Sequence, residues 1–316
     1  MATGDAPVGL PSIGVDIGGT KVLAAVVDED GRVVDTQTTA TPGKGSGIDD
    51  ATAEEVEDAL VSVVSALTRE HGRCTVGVAA AGFVDALGER VRFAPHLPWR
   101  DEPLAERLTE RLGASVVGEV FVDNDANAAL WAEVRFGAAG DAEHVVMITL
   151  GTGIGGALLL GGTLHRGLNG MAGEFGHMQV VPDGRGCECG GRGCWEQYCS
   201  GRALGRAAQA AGSTLVGPAL TEAAQEGDPA AVAAYAEVGR WLGVGAANVA
   251  AAVDPELIVV GGGVSAAGEL LMAPARAALA ESLVGRGHRV LPEFLSADLG
   301  PLAGVVGVAD LARDML

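Results

Sequence analysis

Basic side chains are scarce in this chain: Lys and Arg total 21 against 41 Asp and Glu, a formal charge of -20. Such a field repels nucleic acid and anionic membrane surfaces, which excludes binding to either by charge. It opposes ATP as well, so a nucleotide site here must supply local backbone donors and a metal cation. The charged-then-apolar pattern of a secretory leader is missing from Met1 to Ser12, and no low-complexity linker interrupts the chain, so a cytoplasmic protein is expected. Charged residues are only 20% of the total and hydrophobic ones 48%, which excludes intrinsic disorder. Only Val145 to Leu164 is long and uncharged enough to consider as a membrane span. Six of its residues are glycine and it carries glycine-threonine turns, so it reads as a β-hairpin.

What is present is an α/β chain long enough for two lobes. Ile13 to Ile17, Val22 to Val27 and Arg32 to Thr39 read as a three-strand meander with turns at Gly18-Gly19-Thr20-Lys21 and Asp28 to Gly31. Ile48 to Glu70 has helical spacing at Val56, Leu60, Val63 and Leu67, and Thr75 to Ala80 reads as a buried strand. A helix over Glu102 to Leu112 precedes a strand at Val120 to Val122, and Asp123-Asn124-Asp125-Ala126-Asn127 opens a helix to Phe136. Val145 to Leu150 and Gly156 to Leu160 repeat the opening design. The remainder of the chain reads mostly as helix, with alanine-rich stretches at Pro229 to Val253 and Ala273 to Val284 flanking a strand at Leu257 to Val260. The expected division is a small lobe at 1–123, completed by the C-terminal helix 303–316, and a large lobe at 124–302.

A transferred phosphoryl group needs backbone N–H groups that approach its oxygens closely, which glycine permits. Two loops qualify: Asp16-Ile17-Gly18-Gly19-Thr20-Lys21, and Thr149-Leu150-Gly151-Thr152-Gly153-Ile154-Gly155-Gly156. The first is not a P-loop, because it ends Gly-Thr-Lys and is followed by a strand. One such loop is an ordinary hairpin turn; two of the same design, each with a hydroxyl, favour phosphate binding. Asp16 is placed to hold Mg²⁺, directly or through water, with turn capping as its plain alternative. Gly261-Gly262-Gly263, after a buried strand, would let adenosine lie on bare backbone.

Three of the five cysteines fall at Cys187, Cys189 and Cys194, with His177 nine intervening residues before the first. In a chain without a leader this crowding points to metal, and three thiolates plus one imidazole complete a tetrahedral structural zinc shell. Pinning that loop would pin Glu174 and Glu196, whose carboxylates suit sugar hydroxyls. Cys74 and Cys199 read as small buried residues. For phosphoryl transfer to an alcohol a carboxylate must accept the hydroxyl proton. Asp125 fits, at a strand end and helix start, with Asn124 beside it for a sugar hydroxyl. Helix capping is the ordinary reading for any one of these residues.

Together these motifs resemble the ROK family of repressors and sugar kinases, and within it the bacterial glucokinases, nearly end to end. The carriers are Asp16 to Lys21, Asp123 to Asn127, Leu150 to Gly156, and Glu174-Phe175-Gly176-His177 leading into Cys187-Glu188-Cys189 and Cys194-Trp195-Glu196. The resemblance implies a two-lobed actin-like, ribonuclease-H-like fold, with sugar and ATP meeting in a cleft. It also implies Asp125 as base, sugar contacts at Gly82, Asn124, Glu174, His177 and Glu196, ATP contacts in the glycine loops, and a homodimer or homotetramer. Ala79-Ala80-Ala81-Gly82 departs from many relatives, which carry proline before the glycine; this bears on hexose selectivity. The competing readings are a kinase of N-acetylmannosamine, fructose or allose, a polyphosphate-dependent kinase, a silent sugar-binding module, and a sugar-sensing repressor. Fifteen residues before Asp16, without a basic cluster, leave no room for the repressor's helix-turn-helix.

Overall fold

The computed structural model describes residues 9–43 and 51–316. Residues 48–50 of the expected first helix, and 1–8 of the start read for a leader, lie outside the described residues. Contacts divide the chain into two units: Met1–Gly140 with Leu164–Ala172 and Pro301–Leu316, and Asp141–Thr163 with Gly173–Gly300. The division falls after Gly140 rather than at 123/124, because the helix opened by Asp125 packs along the last helix of the chain.

In the first unit, β1 (Ser12–Ile17), β2 (Lys21–Val27), β3 (Val33–Ala40), β4 (Thr75–Ala80) and β8 (Phe121–Asn124) form one sheet in the order β3-β2-β1-β4-β8. The meander strands are antiparallel, and β1, β4 and β8 run parallel. The helix α1 (Ala53–His71) starts at a capping box: Thr52 Oγ1 accepts from the N–H of Glu55, and the Glu55 carboxylate accepts from the N–H of Thr52. Its Val56, Leu60, Val63 and Leu67 stripe joins Ile13, Val15 and Ile17 in a core. Strand alternation sends Gly14 and Asp16 to the other face.

That other face takes α8 (Ala303–Asp314). A Cβ on Gly14 would lie 1.8 Å from the Val305 carbonyl oxygen, so only glycine admits this approach of helix to sheet. On its far side α8 meets α3 (Asp125–Phe136), where a Cβ on Gly307 would lie 1.8 Å from the Ala128 carbonyl oxygen. The unit is completed by α2 (Leu104–Leu112) and by a small antiparallel sheet of β5 (Phe83–Val84), β6 (Val91–Phe93) and β7 (Arg100–Glu102), which the sequence pattern did not reveal.

The second unit repeats the strand plan. β9 (Val145–Leu150), β10 (Ile154–Leu160), β11 (Thr163–Leu164), β12 (Leu257–Gly261) and β13 (Glu293–Ser296) lie in the order β11-β10-β9-β12-β13. β9 and β10 form the antiparallel hairpin expected of the long uncharged run, and no helix among the described residues is long and apolar enough to cross a membrane. The helices are α4 (Gly201–Ala210), α5 (Gly217–Gln225), α6 (Pro229–Val253) and α7 (Glu269–Ser282), with α6 packed along α7. Their apolar faces join Val146, Ile148, Ile258 and Val260 in the second core.

Candidate active site

Parallel strands present their carboxyl ends on one edge of a sheet, where ligands commonly bind. In the first unit that edge carries Asp16 from β1 and Asn124 from β8, with Asp125 in the opening turn of α3. Asn124 is the N-cap: its Oδ1 accepts from the N–H groups of Ala126 at 2.9 Å and Asn127 at 3.2 Å. Its Nδ2 donates to the Gly82 carbonyl at 3.0 Å. Gly82 therefore holds Asn124 through its carbonyl, and a Cβ there would lie 2.6 Å from the Phe93 carbonyl oxygen. Capping does not consume Asp125, although one of its oxygens accepts from the Ala126 N–H at 2.9 Å. Burial raises the Asp125 carboxyl above its ordinary 3.8, opposed by hydrogen bonds from Ala126 and Asn124.

Asp16 is raised to about 7, by burial first and then by the negative charge of Asp125, against the pull of Lys21. Two carboxylates thus share one edge, an arrangement that suits a cation. The loop after Asp16 is braced from Thr41, whose N–H donates to the Thr20 carbonyl and whose hydroxyl donates to the Gly18 carbonyl at 2.7 Å. Gly18 faces open space, Gly19 backs onto His96, and Thr20 and Lys21 are exposed.

One participant was hidden from the sequence. Asp123 is 1% exposed and accepts at Oδ2 from Arg166, through Nη2 at 2.6 Å and Nε at 3.0 Å. Its Oδ1 accepts from the Asn127 side chain and the Asn124 N–H. A buried carboxylate needs such partners. The only advance signal was the charge of Asp123 itself, at the end of an apolar strand; nothing local pointed to a residue 43 positions away.

In the second unit, Thr149 lies near the end of β9, and Gly151, Thr152 and Gly153 form the turn into β10, with the Gly151 N–H donating to the Gly153 carbonyl. Gly151 and Thr152 border a cavity of about 790 Å³ with Gly201, Leu204, Pro218 and Gly263. Of the Gly261-Gly262-Gly263 run, Gly263 alone lines it. Gly262, at φ +84°, is pressed on the Leu150 backbone, and Gly261 faces Met147. The chain turns at Gly262, so successive residues of the run face different neighbours.

A Cβ on Gly153 would lie 2.5 Å from Glu196 Oε2, so the absence of a side chain there makes room for that carboxylate. Glu196 is 8% exposed and also meets Arg202. Glu174 and His177 stand 3.9 Å apart through Oε2 and Nε2.

His177, Cys187, Cys189 and Cys194 bring their ligand atoms within 4.8 Å of one another. Nδ1 of His177 lies 3.8 Å from Cys187 Sγ, and the sulfurs of Cys189 and Cys194 are 3.6 Å apart, separations that match donors sharing one tetrahedral ion. Burial and the neighbouring thiols push Cys194 up to about 12, so a thiolate at that position favours a cation beside it. Cys74 and Cys199 are buried and apart from this cluster.

The ROK family model matches residues 12–315. The chain belongs to the ROK family. Glucokinase of Streptomyces coelicolor is 44% identical over 96% of this chain and 98% of its own length. Among solved ROK structures, a glucokinase from Streptomyces griseus in complex with glucose and AMPPNP is 45% identical, with a TM-score of 0.84 over 96% of this chain and 99% of that one. A ROK hexokinase from Thermus thermophilus is 34% identical, with a TM-score of 0.76 over 97% of this chain and 98% of that one. The mixed α/β architecture is that of ROK sugar kinases, consistent with the actin-like fold.

Proposed function

We infer that this chain transfers the γ-phosphoryl group of ATP to the 6-hydroxyl of glucose, with Asp125 as the general base. The observation that carries the reading is the likeness, at 45% identity over nearly the whole of both chains, to a ROK glucokinase solved with glucose and AMPPNP. Further support comes from the sequence, which carries the aspartate and both glycine turns, and from the gathered ligand atoms of His177, Cys187, Cys189 and Cys194.

Asp125 accepts the proton of the attacking hydroxyl, and its raised pKa makes it a stronger base than a solvated carboxylate. Asn124, held by the Gly82 carbonyl, fixes a further hydroxyl, and Glu174, His177 and Glu196 bind others. The glycine turns offer N–H groups to the phosphates, and the cavity beside Thr152 and Gly263 takes the adenosine. Mg²⁺, when bound, neutralises charge developing on the phosphates, and Asp16 is the residue to hold it.

Zinc held by His177, Cys187, Cys189 and Cys194 supplies structure rather than chemistry. Ligation through His177 Nδ1 would leave Nε2–H to donate to a sugar oxygen, beside Glu174. The cluster also stiffens the segment between Glu174 and Glu196. A homodimeric or homotetrameric assembly in the cytoplasm belongs to the same proposal.

The test is a coupled ADP-release assay over a panel of hexoses, with ATP or polyphosphate as donor. Glucose with ATP is expected to give the highest kcat/KM. No sugar-dependent ADP release would overturn the reading in favour of a binding module.

A further inference from the structure

Distinct from the cavity beside Thr152 and Gly263, the second unit contains a cavity of about 460 Å³ bordered by Arg185, Tyr198, Arg206, Glu237 and Trp241, with alanines of α4 and α6 completing the wall. In a chain where acids outnumber bases about two to one, a guanidinium ordinarily finds a carboxylate. Neither Arg185 nor Arg206 makes an ion pair with any described residue. Both donate instead to one backbone oxygen, the Gln197 carbonyl, from Arg185 Nη1 at 2.9 Å and Arg206 Nη2 at 2.7 Å. The Nε of Arg206 is buried and has no hydrogen-bond partner.

A buried guanidinium N–H left unpaired costs free energy, and two guanidiniums on one carbonyl repel each other. The one acid on the wall does not resolve this. Glu237 is engaged by Trp241 Nε1 at 2.7 Å and by Arg240 through both carboxylate oxygens. Arg185 stacks at 4.9 Å over the Tyr198 ring, and the Tyr198 and Trp241 rings are 4.8 Å apart, so a rigid aromatic wall stands beside the charges.

We propose that this cavity is a second ligand site, for a small phosphate dianion, free or as a sugar ester, held by Arg185 and Arg206 against the Tyr198–Trp241 wall. A tetrahedral dianion accepts from both guanidiniums at once. The volume takes a phosphate with a sugar but not a nucleic acid. Burial and the nearby charges of Arg185 and Arg202 lower the pKa of Arg206, and an anion would relieve that strain.

The experiment titrates the zinc-loaded full chain with inorganic phosphate and, separately, with glucose 6-phosphate, while tryptophan emission is recorded. Trp241 borders the cavity, and W241F identifies its share of the signal. A saturable change that is lost in W241F, and at least about tenfold weaker in R206Q with an unchanged melting temperature, is expected. Whichever of the two anions binds tighter identifies the source. No saturation with either anion, or saturation that is equal in R206Q, would overturn the proposal.

Discussion

Arg166 and Asp123 are joined through one carboxylate oxygen, which accepts from both Nε and Nη2 of the guanidinium, while the other oxygen accepts from Asn127 and Asn124. The aspartate is therefore a junction: the segment Leu164–Ala172 grips it from one side and the start of α3 from the other. R166M would leave a buried charge with half its partners, at a cost of about 3 kcal/mol in stability. A fall in kcat of about 10- to 100-fold is expected as Asn124 and Asp125 lose their support. R166K should recover part of the kcat. Kinetics at a temperature where both variants remain folded separate the two effects, and an unchanged kcat in folded R166M would remove Arg166 from the machinery.

Asp125→Asn should keep the fold and the zinc content, because the amide still accepts from the Ala126 N–H. Turnover should drop by about 10²- to 10⁴-fold, the usual span for loss of a positioned base. Near-normal turnover would rule the assignment out.

The two raised carboxyls act on pH in distinct ways. As the proposed base Asp125 would work ionised, so kcat/KM should fall on the acidic side at a pH above the ordinary 3.8 of aspartate. Asp16 affects stability. Its folded pKa of about 7 exceeds the unfolded 3.8, so between these values the folded chain holds a proton that the unfolded chain has released. The stability supplied by this group is whole below 3.8 and is lost as pH rises to about 7. In metal-free protein D16N should thus match the parent at low pH and exceed it above 7, by at most about 4 kcal/mol. Melting temperatures of the two proteins across that range measure the gap, which should grow with pH.

Metal analysis should find one zinc per chain. Chelation or C187S should lower the melting temperature by several degrees, since a bound ion at 100 times its Kd contributes about 2.7 kcal/mol. The KM for glucose should rise more than that for ATP, because Glu174, His177 and Glu196 lie at the ends of the zinc loop. Metal-free protein with unaltered melting and KM would refute the structural zinc.

Gly153→Ala tests a contact found only in the folded chain. The added methyl would stand 2.5 Å from Glu196 Oε2, so either the turn or the carboxylate must shift. A rise in KM of about tenfold for glucose or ATP is expected from one displaced contact. The substrate affected tells which side yielded.

The strands were legible where their chemistry is local. Thr75–Ala80 and Val145–Leu150 are short β-branched runs between turns, and Pro229–Val253 is alanine-rich from a proline start to its end. The small sheet of β5, β6 and β7 was not legible, since Arg100-Asp101-Glu102 has no strand propensity, Asp101 sits at φ +54°, and the segment joins the sheet only through the pairing of Arg100 and Glu102 with β6. Asp125 could be singled out as a candidate from its place at a strand end together with two glycine loops, and His177, Cys187, Cys189 and Cys194 from their spacing; the structure brings the ligand atoms of that set together. Arg166 could not, because its partner is set by tertiary approach. Gly14, inside a run read as a strand, and Gly307, inside the last helix, carried no local sign of the close approach each permits, Gly14 to the Val305 backbone and Gly307 to the Ala128 backbone.

The dependence of the first unit on α8 orders its synthesis. Gly14 and Gly77 emerge early from the ribosome, yet the helix whose backbone covers them, Ala303–Asp314, is almost the last segment made. Until then the nascent sheet keeps an apolar flank open to solvent and to chaperones. A message truncated before codon 303 would yield a product fit for degradation rather than a smaller working protein.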